Sequence, residues 1–497
     1  MMETIRQDLR FAVRALAAMR GVATLAILTL AVGIGATTTM FSVVHAVLLR
    51  PPPFADPDRL VVLFNTALTP RDGLQRQRWS LKNITELERV ATSFESVGSF
   101  TGPLLTVSGR GEPEHVDGET VTRGYLQALR VRPIAGRVFT AQESSTAGAE
   151  PVALISERLW KRKLAADPSI LDGALLVNDV PLTIVGILPD GFGGVSGKAE
   201  IWIAPPMAAR LYYADYVTTP QNFISAVARL KDGVSLTQAN AELAAIGSGF
   251  PGNSQDPAIT WSAAAVPLQE ARVDPIVRQS ALVLLGAAAC VLLIACVNVA
   301  ALLLARARVR RREIAVRLAI GSGRGRLMQQ LLTEGFVIAA MAGVCGTLLA
   351  WWGVGLFARA APAVIASGRN NYAALGASGT PALDPLVLLF ALGSALGTTL
   401  IVALVPALSA SRVDLTTALK EDDRGGGRGG RALSILVVTE VAIACLLLSA
   451  SGLLIESFAR IQSRRTGFVP DEVLTFWVRP PGSRYPSSSG PATVDRR

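Results

Sequence analysis

Few residues of this chain stand at spacings typical of a chemical site. Its two histidines, His45 and His115, are far apart in the sequence, which excludes the HExxH zinc motif and disfavours a histidine-based metal site. Residues 193–198 (GGVSGK) have the composition of a phosphate-binding loop, but Phe192 stands where that motif has its first glycine and an alanine follows the lysine. Lys198 also stands where the hydrolase motif G-x-S-x-G has its last glycine. We therefore predict no catalytic, cofactor-binding or metal-binding residue, and no enzyme.

The composition indicates a membrane protein. Half of the residues are hydrophobic, 17% are charged and the mean hydropathy is +0.41, whereas soluble domains contain about 25% charged residues. The four cysteines lie in apolar stretches, where they are expected to pack as small residues and not to form disulfides. Much of the net charge of +10 flanks these stretches. It therefore indicates membrane topology, and no nucleic acid is expected as a partner.

Five stretches are long enough to cross a hydrocarbon core, which takes roughly 20 apolar residues in a helix. They are Val22–Val44, Ala281–Ala305, Phe336–Phe357, Pro385–Leu408 and Leu433–Ile455. The first is too long for a cleavable signal peptide and is predicted to be a retained anchor. Glycine pairs, Gly343 with Gly346 and Gly393 with Gly397, permit close helix contact in the third and fourth spans.

Basic residues fix the predicted orientation. The segment Arg306–Arg326 carries eight arginines against the single acid Glu313. Short arginine-rich loops are retained in the cytoplasm, and the basic segments before the first span and after the fourth follow the same rule. The N-terminus is therefore predicted to be cytoplasmic, with residues 49–277 outside.

Residues 49–277 are long enough to bury their own core and show mixed α/β patterns. Asn178-Asp179 is a two-residue hairpin signal, and Ser235 is a plausible N-cap of a helix. The predicted elements are strands at Val152–Ile155, Ala174–Val177 and Leu182–Ile187, and helices at Glu157–Leu164 and Leu236–Ile246. The fold class expected is a multi-span α-helical membrane protein with a large extracytoplasmic mixed α/β domain.

The segment 310–334 (RRREIAVRLAIGSGRGRLMQQLLTE) is the most informative of the chain. Glu313 and Arg317 are four residues apart with the acid first, the favourable order in a helix, and Ile314 and Leu318 form an apolar stripe beside them. The sequence Gly-Ser-Gly at 321–323 ends that helix. A basic amphipathic helix lying on anionic lipid has a similar composition, so the pattern alone leaves both interpretations open.

This segment, together with 406–421 (PALSASRVDLTTALKE) and 50–64 (RPPPFADPDRLVVLF), resembles the permeases of the FtsX/MacB-type ABC transporter superfamily. The resemblance covers nearly the whole chain and implies a coupling helix within 310–326 that docks on a cytoplasmic ABC ATPase subunit. This family often has Ala-Leu-Gly-Ala where residues 319–322 are Ala-Ile-Gly-Ser, a conservative difference. The residues that the resemblance implies for the coupling helix are Arg311, Arg312, Glu313, Ile314, Arg317, Leu318, Ala319, Gly321 and Arg324.

The fifth span is explained by a resemblance to duplicated permeases, because residues 467–476 echo 54–63 after the first span. We expect a C-terminally truncated second half, and a homodimer or pseudo-dimer of four-span units. Residues 425–430, which are rich in glycine, are expected to form a flexible connection. The expected segments are a cytoplasmic start (1–21), the first helix (22–48), a periplasmic MacB-like domain (49–277), an FtsX-like permease domain (280–410), a linker (411–432), the fifth helix (433–458) and a truncated second outside domain (459–497).

The function expected is that of a permease subunit in a bacterial inner membrane, with membrane lipids around it. It would transmit ATP-driven change to the outside domain for export or efflux. Two alternatives stay open: an FtsX-like module that regulates an extracytoplasmic enzyme, and a membrane-anchored binding or structural protein with no ATPase. Asn298 and Glu440 are intramembrane polar residues, expected to be functional or to form helix-to-helix hydrogen bonds.

Overall fold

The computed structural model describes residues 14, 20–146, 148–250, 258–273, 275–309, 324–360, 382–411 and 428–462. Their contacts define two compact units: a helical unit, made of the described residues within 20–49, 275–360 and 382–462, and an α/β domain, made of those within 50–273. The described helices are α1 (Arg20–Val44), α2 (Leu81–Val90), α3 (Arg123–Leu129), α4 (Ala141–Ser145), α5 (Glu157–Lys163), α6 (Pro205–Leu211), α7 (Leu236–Gly247), α8 (Leu268–Ala271), α9 (Pro275–Val309), α10 (Arg324–Ala360), α11 (Pro385–Ser411) and α12 (Arg428–Gln462). The described strands are β1 (Leu60–Thr69), β2 (Gly73–Gln77), β3 (Phe94–Thr101), β4 (Leu104–Ser108), β5 (Glu114–Val121), β6 (Ala135–Gly136), β7 (Val152–Ser156), β8 (Ala174–Val177), β9 (Val180–Leu188), β10 (Ile201–Ile203), β11 (Ser225–Leu230) and β12 (Thr260–Pro267).

Each of the five predicted spans is helical. Four described segments are long and apolar enough to cross a membrane: Arg20–Leu49, Val277–Leu303, Leu332–Phe357 and Val437–Ser457. In α11, which has 27 residues, the part whose side chains are described, Pro385–Ile401, is also apolar. The helices extend beyond the apolar stretches because hydropathy detects only the part that matches the hydrocarbon core.

The predicted flexible connection at 425–430 is wrong at its C-terminal end, because α12 begins at Arg428 and includes two of the glycines. The first turn of a helix makes few of its own hydrogen bonds, so glycine there costs less than in the interior. The remaining residues of that connection lie outside the described part of the chain.

Small residues bring α1 against α9 and α10. A Cβ added to Gly33 would lie 3.0 Å from Leu292, and one added to Gly346 would lie 2.9 Å from Ile34. The Thr37 hydroxyl donates to the Ala288 carbonyl oxygen at 3.1 Å. Such close approach adds dispersion contacts and an interhelical hydrogen bond, which hold helices together in lipid, where apolar burial gives no driving force.

The glycines predicted to permit close helix contact lie near a neighbouring helix in the third span but, among the described residues, not in the fourth. A Cβ added to Gly343 would lie 3.0 Å from Ala395 of α11, in agreement with the pattern, but one added to Gly393 or Gly397 would meet no described atom within 4 Å. The C-terminal end of α1 contacts α11 through aromatic and polar groups: Phe41 stacks on Phe390 at 4.0 Å between ring centroids. His45, just after α1, lies 2.9 Å from the Asp384 carboxylate.

The α/β domain is built on one sheet of 12 described strands in the order β10-β7-β9-β8-β4-β5-β3-β11-β1-β12, with β2 beside β1 and β6 beside β9. Two pairs, β7 with β9 and β5 with β10, are parallel. Along β1, Val61 and Leu63 belong to one hydrophobic cluster and Leu60, Val62 and Phe64 to another. Both faces of this strand are therefore buried, which explains its unbroken apolar sequence.

The local predictions in this domain are confirmed. Strands β7, β8 and β9 and helices α5 and α7 lie where the patterns indicated. Asn178 and Asp179 connect β8 to β9 with φ angles of 48° and 63°, the left-handed pair that a tight hairpin turn requires. The Ser235 side chain accepts from Gln238 N and caps α7.

Candidate functional site

Most of the predicted coupling helix lies outside the described residues. Arg311, Arg312, Glu313, Ile314, Arg317, Leu318, Ala319 and Gly321 belong to the segment 310–323. Arg324 is the first residue of α10. The helices on either side are described up to Val309 (α9) and from Arg324 (α10). The coupling role of these residues stays a prediction.

The intramembrane polar candidates are on separate helices. Asn298 is half-buried in α9 and Glu440 is half-buried in α12. The sequence patterns missed a third polar candidate, the acid Glu334 of α10, which is only 4% exposed. Its position two residues before the apolar stretch Phe336–Phe357 was the available signal. An acid buried at the end of a membrane span is a functional candidate by the same reasoning as Asn298 and Glu440.

The two chain segments that join the α/β domain to the helical unit lead into neighbouring strands. Residues 50–59 connect α1 to β1, and residues 268–274 connect β12 to α9. Strands β1 and β12 are antiparallel partners over eight residue pairs, from Val61 with Pro267 to Leu68 with Thr260. The first and last strands of the domain therefore form one hydrogen-bonded ladder at its two covalent connections.

Arg229 of β11 holds the first connection. Its side chain is fully buried, and it donates to the carbonyl oxygens of Ala128 at 2.7 Å, Ala55 at 2.6 Å and Asp56 at 3.1 Å. Burial, with repulsion from Arg130, lowers the pKa of Arg229 below its usual value. A buried guanidinium that satisfies three carbonyl groups fixes the position of the chain at 55–56.

Salt bridges surround the same connection. Arg130 lies 2.6 Å from the Asp56 carboxylate and 3.1 Å from that of Glu95, and Arg59 lies 3.0 Å from Glu95. Asp56 has a φ of 46°, an uncommon backbone conformation for a residue other than glycine. These groups are partly exposed, so each salt bridge alone contributes little to the stability of the fold. Together they bind the start of the domain to α3 and β3.

The second connection is hydrogen-bonded to the first. The Gln269 side chain of α8 donates to the Arg50 carbonyl oxygen at 3.1 Å. Arg272, just after α8, is only 8% exposed. Burial and the nearby positive charge of Arg50 both lower the pKa of Arg272.

The glycine-rich segment at 193–198 folds around a buried acid, Glu119 of β5. The Glu119 carboxylate accepts from Tyr125 Oη at 2.7 Å, Trp202 Nε1 at 2.9 Å and Ser196 N at 2.8 Å. A Cβ at Gly194 would overlap this carboxylate. Burial raises the pKa of Glu119. The glycines that imitate a phosphate loop in the sequence thus have a packing reason in the fold.

The described residues offer little other chemistry. Within these ranges, no group of three or more His, Cys, Asp and Glu side chains is placed to hold a metal ion. The arrangement instead combines apolar helices, a large α/β domain and two braced covalent connections. These features define the class: a multi-span helical membrane protein with a large α/β domain.

Two family models match this chain. Residues 23–246 match the MacB-like periplasmic core domain, and residues 285–415 match the FtsX-like permease C-terminal domain. The chain belongs to the FtsX/MacB-type ABC transporter permeases. It is accordingly a permease of a multi-pass membrane family.

Curated relatives agree with this assignment. The macrolide export ATP-binding/permease protein MacB of Chromobacterium violaceum is 26% identical over 40% of this chain and 29% of its own length. The pyoverdine export ATP-binding/permease protein PvdT of Pseudomonas fluorescens is 27% identical over 58% of this chain. This chain covers 40% of that relative. The crystal structure of the periplasmic region of MacB from Actinobacillus actinomycetemcomitans matches with a TM-score of 0.30 and 14% identity, covering 38% of this chain and 82% of that one.

Proposed function

We propose that this permease transmits ATP-driven conformational change from a cytoplasmic ATPase subunit to its α/β domain, for export or efflux. The observation that carries the proposal is the pairing of β1 with β12. A displacement of α1 relative to α9 would act on two adjacent strands joined by a ladder of hydrogen bonds. The sheet would then respond as one body, because interiors packed at high density transmit strain.

The braced connections support the same proposal. A flexible tether would absorb a displacement, whereas the segment 55–56 is held by Arg229 and Gln269 contacts the Arg50 carbonyl oxygen. Buried hydrogen bonds of this kind are costly to break, since an unpaired buried group costs about 1–3 kcal/mol. Movement of the helices would therefore reach the sheet with little loss.

The proposed orientation in the membrane rests on the charge distribution, and the proposed partner and direction of transport are supported by the relatives. The arginine-rich segment 306–326 favours a cytoplasmic position, which gives a cytoplasmic N-terminus and a site for the ATPase subunit. The relatives named above are export proteins with ATP-binding and permease functions, which supports export as the direction of transport. We propose that two four-span units, from a homodimer or from one duplicated chain, meet over two ATPase subunits.

The first prediction tests the coupling helix. Replacing Glu313 and Arg317 together with alanine should lower the stimulated ATPase rate of the partner subunit about tenfold, because coupling between sites is typically worth 1–3 kcal/mol. Insertion in the membrane should be unchanged. The measurement is ATPase activity in vesicles that contain the full chain and its co-purified ATP-binding subunit.

The chain supplies a matched control. Glu456 and Arg460 are also an acid and an arginine four residues apart on an exposed helix, with 2.5 Å between the charged groups. In the proposed topology they lie on the opposite side of the membrane. The variant with both residues replaced by alanine should therefore stimulate the partner's ATPase as the wild type does. Equal ATPase rates in the two double variants would contradict the coupling role of Glu313 and Arg317. Failure of any ATP-binding subunit to co-purify with the chain would favour the alternative of a membrane-anchored binding protein.

A further inference from the structure

A small cavity lies in the α/β domain at its two connections to the helices. It has a volume of about 200 Å³ and is lined by Arg50, Phe54, Arg272 and the backbone of the glycine-rich segment, including Gly193 and Gly194. Drug-sized ligands occupy about 300–1,000 Å³. This cavity is suited to a smaller group, and no carboxylate is among the residues that line it.

The charges at the cavity favour an anion. Arg50 and Arg272 line the same space, and the charge of Arg50 helps to lower the pKa of Arg272. Keeping two positive charges near each other in a partly buried position is unfavourable. A bound anion would remove this repulsion and accept charge-assisted hydrogen bonds from both guanidinium groups.

The glycine-rich wall leaves main-chain atoms open to a ligand. Among the described residues, no hydrogen bond is donated by the N–H of Gly193 or Gly194. Gly191, Gly194 and Gly197 have φ angles of 80°, 69° and 75°, which allow a loop without side chains. Bare amide groups beside arginines are the donors that proteins use for phosphoryl oxygens.

The sequence positions of the two arginines, next to candidate membrane spans, indicate where the anion comes from. Arg50 follows directly on Leu49, the last residue of the first candidate span, and Arg272 precedes the candidate span Val277–Leu303 by five residues. An exposed arginine at this position could simply extend into the headgroup layer. Arg272 does not fit that explanation, because its side chain is 8% exposed and lines the cavity.

We propose that this cavity binds a phosphoryl oxyanion, and that its source is the headgroup phosphate of a membrane lipid. Free phosphate is the other possible source of the same chemistry. The site is independent of the ATPase and of the coupling helix. It would fasten both connections of the α/β domain to the lipid headgroup layer.

The test uses the full chain in detergent and native mass spectrometry. Phosphatidylglycerol is added in one arm, a galactosyl diacylglycerol that lacks phosphate in a second, and inorganic phosphate in a third. The variants are Arg50→Gln and the double variant Arg50→Gln with Arg272→Gln. Arg71→Gln is the control, since Arg71 is an exposed arginine in the turn between β1 and β2.

The wild type and Arg71→Gln should retain one phosphatidylglycerol more than the double variant, with an affinity about tenfold higher, as expected for lost hydrogen bonds to a charged group. The galactolipid should not be retained. Inorganic phosphate that binds as tightly as the lipid, and only with the arginines present, would make free phosphate the source and overturn the lipid assignment. Equal phosphatidylglycerol retention by all variants would overturn the site. If the double variant fails to fold, Arg50→Gln alone decides, because the hydrogen bond from Gln269 goes to the carbonyl oxygen of residue 50, which this substitution retains.

Discussion

At the scale of single residues, two buried charged side chains organise irregular segments of the α/β domain. Arg229 donates to three carbonyl groups at the first connection, and Glu119 accepts from Tyr125, Trp202 and the main chain of Ser196. Each replaces its lost hydration with several hydrogen bonds, which is the condition for burying a charged group. Removing either would leave polar groups of its neighbours unpaired inside the domain.

Glu119→Ala should reduce the free energy of unfolding of the α/β domain by about 3 kcal/mol, because three donors lose their acceptor. Burial raises the pKa of Glu119 above 4.5, so its contribution is greatest below the unfolded value. That contribution declines as the pH rises through the folded value. The loss caused by the substitution should therefore be larger at low pH than at high pH.

Urea unfolding of the full chain in detergent, followed by tryptophan fluorescence, measures both effects. Glu112→Ala is the control, because Glu112 is an exposed acid on the same domain. A variant at position 119 with wild-type stability across the pH range would show that the hydrogen bonds around its carboxylate contribute nothing net.

At the scale of elements, the important feature is the ladder between β1 and β12, which joins the strands at both connections. The residues of β1 from Leu60 to Phe64 are buried on both faces, so this strand cannot move without the core around it. The helical unit has a corresponding device in the close approach of α1 to α10 at Gly346. Both pairings depend on close packing, of β1 from Leu60 to Ala67 and of α1 against Gly346.

A flexible insertion tests the braced connection. Adding Gly-Gly-Ser-Gly after Arg50 should leave ATPase stimulation unchanged but abolish the ATP-dependent change in hydrogen exchange of residues 50–273, because a slack segment absorbs displacement. The same insertion after Arg71, in the turn between β1 and β2, is the matched control. A wild-type exchange response in the first variant would refute transmission through this segment.

At the scale of the whole molecule, the distribution of charge predicts the orientation in the membrane. Eight arginines lie between residues 306 and 326, whereas the α/β domain contains many pairs of opposite charge, such as Arg137 with Glu143 at 2.7 Å. Basic residues near spans resist translocation, and a folded domain with balanced charge does not. This asymmetry predicts the sides of the membrane on which the two regions lie.

Cysteine labelling tests that orientation. Ser322→Cys should react with a membrane-impermeant maleimide only after the cytoplasmic side is opened, and Lys82→Cys should react from outside. Lys82 is exposed on α2, whereas Asn178 is unsuitable because it has a φ of 48°. The four natural cysteines, all in α9, α10 and α12, are replaced by alanine as the background. The reverse labelling pattern would overturn the cytoplasmic N-terminus.

The sequence alone determined those features that depend on neighbouring residues. Apolar stretches located the spans, because crossing a membrane requires a continuous hydrophobic segment. Asn178-Asp179 located a hairpin, and Ser235 a helix start, since both depend on local backbone chemistry. The motif similarity of 310–334 identified the family for the same reason, because it is a continuous pattern.

Only the tertiary structure determined the features that join distant residues. No local pattern predicts that β1 pairs with β12, about 200 residues later, because that register depends on how the whole sheet packs. The partners of Arg229, and two of the three partners of Glu119, are likewise remote in sequence. Each side chain looks like an ordinary exposed charge until the fold buries it. The segment 193–198 resembled a failed phosphate loop by sequence. The structure shows that Gly194 packs against Glu119 and that the glycines of this segment line a cavity with two arginines, because backbone geometry there is fixed by contacts from other strands.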